Sequence, residues 1–256
     1  MSGHLSVIGL GPGDEALLTE EASRALASAE ALYGYGPYLD RVAPRPGQSR
    51  VPSDNREEGA RAAAALEHAA RGARVALVSG GDPGVFAMAA AVCEQIELGP
   101  PPWRDLGVDM VPGITAMLAV AARVGAPLGH DFCALSLSDN LKPWSVVEAR
   151  LEAAARAGFV LALYNPTSRS RPWQLARALE LLGTCLPGST PVVFGRSVRR
   201  ASEAIQVVRL ADAASASESA DMATLVIVGS PETRTIPRPG RSALVYTPRA
   251  VGRGTT

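Results

Sequence analysis

The sequence predicts an α/β protein in two domains, and three observations carry that prediction. Short runs that are apolar along their whole length alternate with stretches of helical periodicity, the pattern of a parallel sheet covered on both faces. Three of those runs end in glycine-rich turns, where open α/β sheets place their ligands. A break with glycine, proline and histidine at residues 125–131 then interrupts the pattern. It sets the domains at residues 1–128 and 129–246, followed by a polar, loose tail over 247–256. With 256 residues the chain is long enough for two compact domains.

The elements follow in order. Residues 5–10 read as a first buried strand. Residues 19–29 read as a helix, with Thr19 as its cap and Ala22, Ala25, Leu26 and Ala29 on one face. A strand at 31–33 comes next. Asn55 and Glu58 stand as a capping box before a helix over 55–71. A strand at 74–79, a helix over 83–98 and a short strand at 109–111 complete the first sheet. Residues 115–124 are almost all apolar and read as a buried helix. In the second half, strands are expected at 132–137, 159–164, 191–194, 204–209 and 224–228. Helices are expected at 143–157, with proline in the first turn, and at 171–183. No internal repeat is visible.

Composition narrows the function. Hydrophobic residues make up 47 % and charged residues 20 %, and 25 basic residues balance 25 acidic ones. Such a chain has a core and no global attraction to nucleic acid or to an anionic membrane. Lys142 is the single lysine. Cys93, Cys133 and Cys185 form no CxxC pair and read as small buried thiols. His4, His68 and His130 lack metal-ligand spacing, so no metal site is expected, and His68 should face solvent. No signal-peptide pattern and no run of membrane-span length occur, so a cytoplasmic location is expected.

Four loops can carry chemistry. The first is GLGPGD at 9–14. It misses the dinucleotide fingerprint, because its third glycine comes one residue early and Pro12 sits inside the loop. The second is SGGDPG at 79–84, where Asp82 is either a helix cap or a carboxylate facing a ligand. The third is VPGITA at 111–116, where Thr115 can cap the buried helix. The fourth is YNPTSRSR at 164–171, whose hydroxyls, amide and two arginines suit an anion near a helix start. Arg196, Arg199 and Arg200 form a further cluster that is either a solvated loop or a site. Arg169, Arg171 and Lys142 are the candidate ligands for an anionic substrate.

GLGPGD, SGGDPG and VPGIT, in this order and each after an expected strand, resemble the tetrapyrrole methylase family. The resemblance covers nearly the whole chain. It implies two unlike α/β domains with S-adenosylmethionine in a cleft between them, and a homodimer. The segments YGYGPY (33–38), SDNREE (53–58), SLSDNLKPW (136–144) and LYNPTSRSR (163–171) are similar to the ring-contracting branch of the family. That branch methylates a precorrin at ring carbon 17. The resemblance implies that Pro12, Gly80, Gly81, Asp82, Val85, Phe86, Thr115 and Ala116 meet the cofactor. From the second domain it implies Asn165 and the backbone around Thr224. The family's uroporphyrinogen enzymes often carry methionine where Asn165 stands, so the place carries over better than the side-chain role. Some relatives add a C-terminal metal cluster, and no cysteine follows Cys185 to hold one. No catalytic base is identified; His130, Asp139 and Asp14 are candidates. Other readings are a family member acting at another ring carbon or on uroporphyrinogen, a methylase of protein or ribosomal RNA, and a nucleotide- or NAD-binding protein without methylase activity.

Overall fold

The computed structural model describes residues 3–54, 56–168 and 170–250. The expected cap Asn55, the expected substrate ligand Arg169 and the tail from 251 onward lie outside them. The chain divides into two compact units, Met1–Ala116 and Met117–Thr256, ahead of the expected boundary at 128. Residues 117–126 fall in the second unit. A Cβ on Gly195 would lie 2.4 Å from Val120 Cγ2, and the strand Gly125–Ala126 pairs with Arg241–Tyr246.

The first unit runs β1 (His4–Gly9), a 3-10 turn (Glu15–Leu17), α1 (Glu20–Ser28), β2 (Ala31–Tyr35) and α2 (Gly36–Leu39). It continues with β3 (Ser49–Ser53), α3 (Glu58–Ala70), β4 (Arg74–Ser79), α4 (Met88–Leu98), a second 3-10 turn (Pro101–Asp105) and β5 (Gly107–Val111). Its sheet is wholly parallel, in the order β3-β2-β4-β1-β5. Alternate residues of the apolar strands serve opposite faces. Leu5, Val7, Val75 and Leu77 pack with Ala62, Ala65 and Leu66 of α3. Ile8, Ala76 and Val78 pack with Ala22 and Leu26 of α1. From β1 the chain crosses to β2 on one side, and from β4 it crosses to β5 on the other. The direction of winding therefore reverses between β1 and β4, the place where such sheets open a ligand crevice.

Local chemistry explains where the helices begin. Thr19 caps α1, its hydroxyl accepting the Ala22 N–H at 3.1 Å. The helix α3 starts at Glu58 without a side-chain cap, and Glu57 instead accepts the Asp54 N–H at 2.9 Å. The helix expected from 83 begins only at Met88, because Phe86 holds a left-handed φ of 52°. His68 does not simply face solvent: Tyr33 Oη lies 3.1 Å from its Nδ1.

The second unit holds α5 (Ala116–Val124, entered from the last residue of the first unit), β6 (Gly125–Ala126), β7 (Phe132–Ser136), α6 (Trp144–Arg156), β8 (Val160–Tyr164) and α7 (Gln174–Gly183). Then come β9 (Pro191–Arg196), β10 (Ala204–Arg209), a 3-10 turn (Leu210–Asp212), α8 (Ala213–Ser217), β11 (Thr224–Val228), β12 (Arg234–Arg238) and β13 (Arg241–Tyr246). One sheet runs β10-β9-β11-β8-β7 and is parallel only between β7 and β8; a smaller one runs β12-β13-β6. Leu161, Leu163, Phe194 and Val226 form one core with Leu151 of α6 and Leu175, Leu179 and Leu182 of α7. The intervening Ala162, Val193 and Ile227 are buried as well.

Two expectations need correction. The tail is not loose from its first residue: Thr247 is buried, its hydroxyl donating to Pro127 O at 2.6 Å and lying 2.8 Å from Thr233 Oγ1. The cysteines are not buried thiols either. Cys93, on the outer side of α4, is exposed, and Cys133 and Cys185 are half-buried. Among the described residues, no helix is long and apolar enough to cross a membrane, and no group of His, Cys, Asp and Glu is placed to hold a metal ion.

Candidate functional site

In the first unit the three glycine turns meet. Leu10 N donates to Ser79 O at 2.8 Å, and Gly11 and Gly81 exchange both backbone hydrogen bonds at 3.0 Å. Both of these glycines have positive φ, 63° and 67°, a conformation that any Cβ would strain. The third turn closes on the first two with no space left over. A Cβ on Gly113 would lie 2.3 Å from Gly81 O and 2.8 Å from Gly9 C and O. On Gly9 it would lie 2.6 Å from Gly81 O. Pro12 is buried beside this junction in sequence, and Gly80 packs its bare Cα against the Tyr38 ring.

Asp82 is neither a helix cap nor simply a ligand-facing carboxylate. Its Oδ1 accepts the Gly84 N–H at 2.8 Å and its Oδ2 accepts the Gly113 N–H at 3.1 Å. The carboxylate thus ties the second turn to the third. Thr115 is buried, and its Cα and the Ala116 N lie 3.6 and 3.9 Å from where a Gly81 Cβ would stand. Val85 is half-buried, with its N–H 3.3 Å from Asp82 O. Phe86 keeps an exposed ring on left-handed backbone. A phenylalanine in that conformation stores strain of roughly 1–3 kcal/mol, a cost found chiefly at ligand sites. Pro12, Gly80, Gly81, Asp82, Thr115 and Ala116 therefore gather at one end of one sheet, with Val85 and Phe86 on the rim.

In the second unit Asn165 also takes a left-handed φ, 52°, which asparagine tolerates better. Its Nδ2 donates to Ser136 Oγ at 2.9 Å. The β8–β11 register pairs Leu163 with Val226; continued by two residues, it sets Thr224 level with Asn165. Thr224 is buried, and its hydroxyl donates to Asp221 Oδ1 at 3.1 Å. Asp221 is also paired with Arg196 at 2.7 Å. These three residues line an open groove of about 390 Å³. Burial pushes the Asp221 carboxyl up, but Arg196, the Ala223 N–H and the Thr224 hydroxyl outweigh it and hold the group below its ordinary value. Of the arginine cluster near Gly195, Arg196 is thus a structural partner.

The anion-binding expectation for the fourth loop changes. Ser168 and Arg171 exchange two backbone hydrogen bonds, at 3.0 and 2.9 Å, and α7 begins only at Gln174. Arg171, largely shielded, lies 3.7 Å from Asp139, which also accepts from Gln174 at 3.2 Å. Lys142 donates to Ser138 O at 3.0 Å; burial and Arg150 lower its pKa while Asp139 raises it, with a net fall. Of the possible bases, Asp139 is engaged by Arg171, Asp14 caps the 3-10 turn after the first loop, and His130 lies 3.8 Å from Asp131.

Sequence reasoning missed three residues. Arg41 grips the first glycine turn, its Nη2 donating to Leu10 O and Gly11 O, each at 2.8 Å. Tyr38 backs the second turn. Tyr164 accepts the Met117 N–H, at the start of α5, at 3.1 Å. Arg41 and Tyr38 fall in the YGYGPYLDR stretch, but nothing local marks a side chain whose partners lie thirty residues away.

With this geometry described, the comparisons are specific. Residues 4–214 match the family of Tetrapyrrole (Corrin/Porphyrin) Methylases. The chain is 60 % identical, over 97 % of both sequences, to a Sinorhizobium protein named precorrin-3B C(17)-methyltransferase. Its fold matches the crystal structure of the methyltransferase CobJ at 52 % identity and a TM-score of 0.91, covering 96 % of this chain and all of that one. It also matches a Thermus thermophilus uroporphyrin-III C-methyltransferase complexed with S-adenosylhomocysteine, at 25 % identity, a TM-score of 0.67 and coverage of 89 % and 97 %. Three interlocked glycine turns on a parallel sheet, two α/β units and these likenesses place the chain in the tetrapyrrole methylase family.

Proposed function

We propose that this chain transfers the methyl group of S-adenosylmethionine to ring carbon 17 of precorrin-3B, coupled to ring contraction, in cobalamin biosynthesis. The observation that supports this most is the 60 % identity, along almost the full length of both chains, to a protein named for that reaction. The donor brings an already activated sulfonium methyl, so the protein's task is alignment and exclusion of water. The junction of Gly9, Gly81 and Gly113 suits that task. Its turns are joined by backbone hydrogen bonds and held by the Asp82 and Arg41 side chains, and backbone N–H and C=O edges bind an adenosyl amino acid without bulk. Pro12, Gly80, Gly81, Asp82, Val85, Phe86, Thr115 and Ala116 are assigned to the donor, with Asn165 and Thr224 from the second unit. Asp82 contributes there through the shape of the turns it ties. Arg169, Arg171 and Lys142 are assigned to the carboxylates of the tetrapyrrole. A dinucleotide fits poorly, because the first turn leads into a 3-10 turn capped by Asp14 rather than into a helix N-terminus. The protein is read as a cytoplasmic homodimer; light scattering that gives a monomer mass at micromolar concentration contradicts the dimer.

Two experiments test the reading. In calorimetry, S-adenosylhomocysteine should bind once per chain and NAD should give no heat. In turnover, precorrin-3B and S-adenosylmethionine should yield a product one methyl heavier with the absorption of a contracted ring. Methylation of uroporphyrinogen instead, or NAD binding alone, overturns the assignment.

A further inference from the structure

We infer that Arg41 is a positioning residue for the donor-binding turn, fixing its carbonyls so that the glycine junction is formed before any ligand arrives. The inference rests on the assignment of that turn to S-adenosylmethionine. Arg41 follows α2 closely in sequence. One nitrogen, Nη2, donates to two successive carbonyls, Leu10 O and Gly11 O, each at 2.8 Å. Its Nε and Nη1 are withdrawn from solvent, which strengthens charge-assisted bonds of this kind. The Gly11 carbonyl is shared, for it also accepts the Gly81 N–H at 3.0 Å. Arg41 therefore holds the acceptor through which the first and second turns are joined. Its guanidinium carbon lies 6.0 Å from the centre of the Tyr38 ring. That ring fills the space a Gly80 side chain would take, 2.8 Å from where a Cβ would stand. Arg41 and Tyr38 thus support both halves of the junction from one short segment.

The physical need is clear from the backbone. Gly11 at φ 63° and Gly13 at φ 156° belong to the residue type with the greatest conformational freedom, so an unsupported loop of them loses the most entropy on ordering. A charge-assisted clamp on two consecutive carbonyls removes that freedom in the free protein. Binding then costs less, which is the gain from preorganisation.

The test uses the full chain with Arg41→Met, which keeps bulk and loses the donors, and Arg41→Lys, which keeps the charge and one donor group. Affinity for S-adenosylhomocysteine is read by calorimetry well below each variant's melting temperature, and KM is measured separately for donor and tetrapyrrole. We expect roughly tenfold weaker binding for Arg41→Met and a partial recovery in Arg41→Lys. The KM for the donor should rise while that for the tetrapyrrole stays within about twofold. Should Arg41→Met fail to fold, Arg41→Lys decides alone. Variant affinities within twofold of the parent, or equal changes in both KM values, overturn the inference. A parent protein that does not bind S-adenosylhomocysteine at all overturns the assignment of the turn instead.

Discussion

At Gly113 a single methyl group would meet three backbone atoms within 2.8 Å, none of which can move without breaking the pairing of the first two turns. Gly113→Ala should therefore lower stability by about 1–3 kcal/mol, as overpacking does, and abolish S-adenosylhomocysteine binding. Thermal unfolding and calorimetry check the two effects, and an alanine variant that binds normally would show that the junction is not the donor site. Asp82 leads to a subtler expectation. Both of its oxygens accept backbone N–H groups, whereas asparagine offers one acceptor and would turn an amide NH₂ towards the other donor. Asp82→Asn should cost roughly 1–3 kcal/mol in stability and weaken donor binding through the displaced third turn. Unchanged melting with weakened binding would instead assign the carboxylate to the ligand directly. The sequence left Asp82 as either a helix cap or a carboxylate facing a ligand, and its bond to Gly84 is the kind of local contact such a turn suggests. Its second partner was hidden, because Gly113 is thirty-one residues away and a glycine N–H leaves no trace in a pattern.

Among elements, α5 and the turn leading into β10 are joined by Arg123 and Glu203, 2.7 Å apart. The Arg199 N–H donates to the same carboxylate at 2.7 Å. That bond first, and Arg123 after it, hold Glu203 below its ordinary value near 4.5 against the opposing effect of burial. A carboxyl with a depressed folded-state pKa contributes stability that is complete above its unfolded value and lost as pH falls through the folded one. Melting temperature should therefore begin to fall below about pH 4.5. Glu203→Gln should melt lower at neutral pH and converge on the parent in acid; parallel curves would refute the contribution. The loops after β7 and β8 offer a second test. Arg171→Ala should raise KM for the tetrapyrrole by a factor reflecting up to ~1–3 kcal/mol if Arg171 meets substrate. If Arg171 only restrains Asp139, the added change Asp139→Asn should restore KM, a coupling that a double-mutant cycle measures. Helices and apolar strands were legible at this scale because burial on one or both faces forces a period. The strands β3, β12 and β13 were not, since most of their side chains are exposed or half-buried and hydrogen bonds to neighbours, rather than a hydrophobic pattern, make them strands.

For the whole molecule, the family was legible from three short motifs because their spacing reflects three strands of one sheet. The division of the chain was not, because α5 is apolar on either reading and only its partners, Gly195 among them, show which unit holds it. The two units also differ in how their ends are tied. Every strand of the first sheet lies before residue 112, so its pairing needs nothing that follows. In the second unit β6 stands near the beginning, yet it pairs with β13, and the Thr247 hydroxyl bonds to Pro127, a separation of 120 residues. On the ribosome, at about 5–20 residues per second, that partner arrives roughly 6–24 s later. Nascent chains arrested shortly after the first unit emerges should already resist protease up to residue 116, while those arrested before Thr247 should still be cut around β6 and the segment to Pro127. The order of synthesis would then leave the small sheet to close seconds after its first strand is made, behind the second unit's five-stranded sheet, whose strands all precede residue 229.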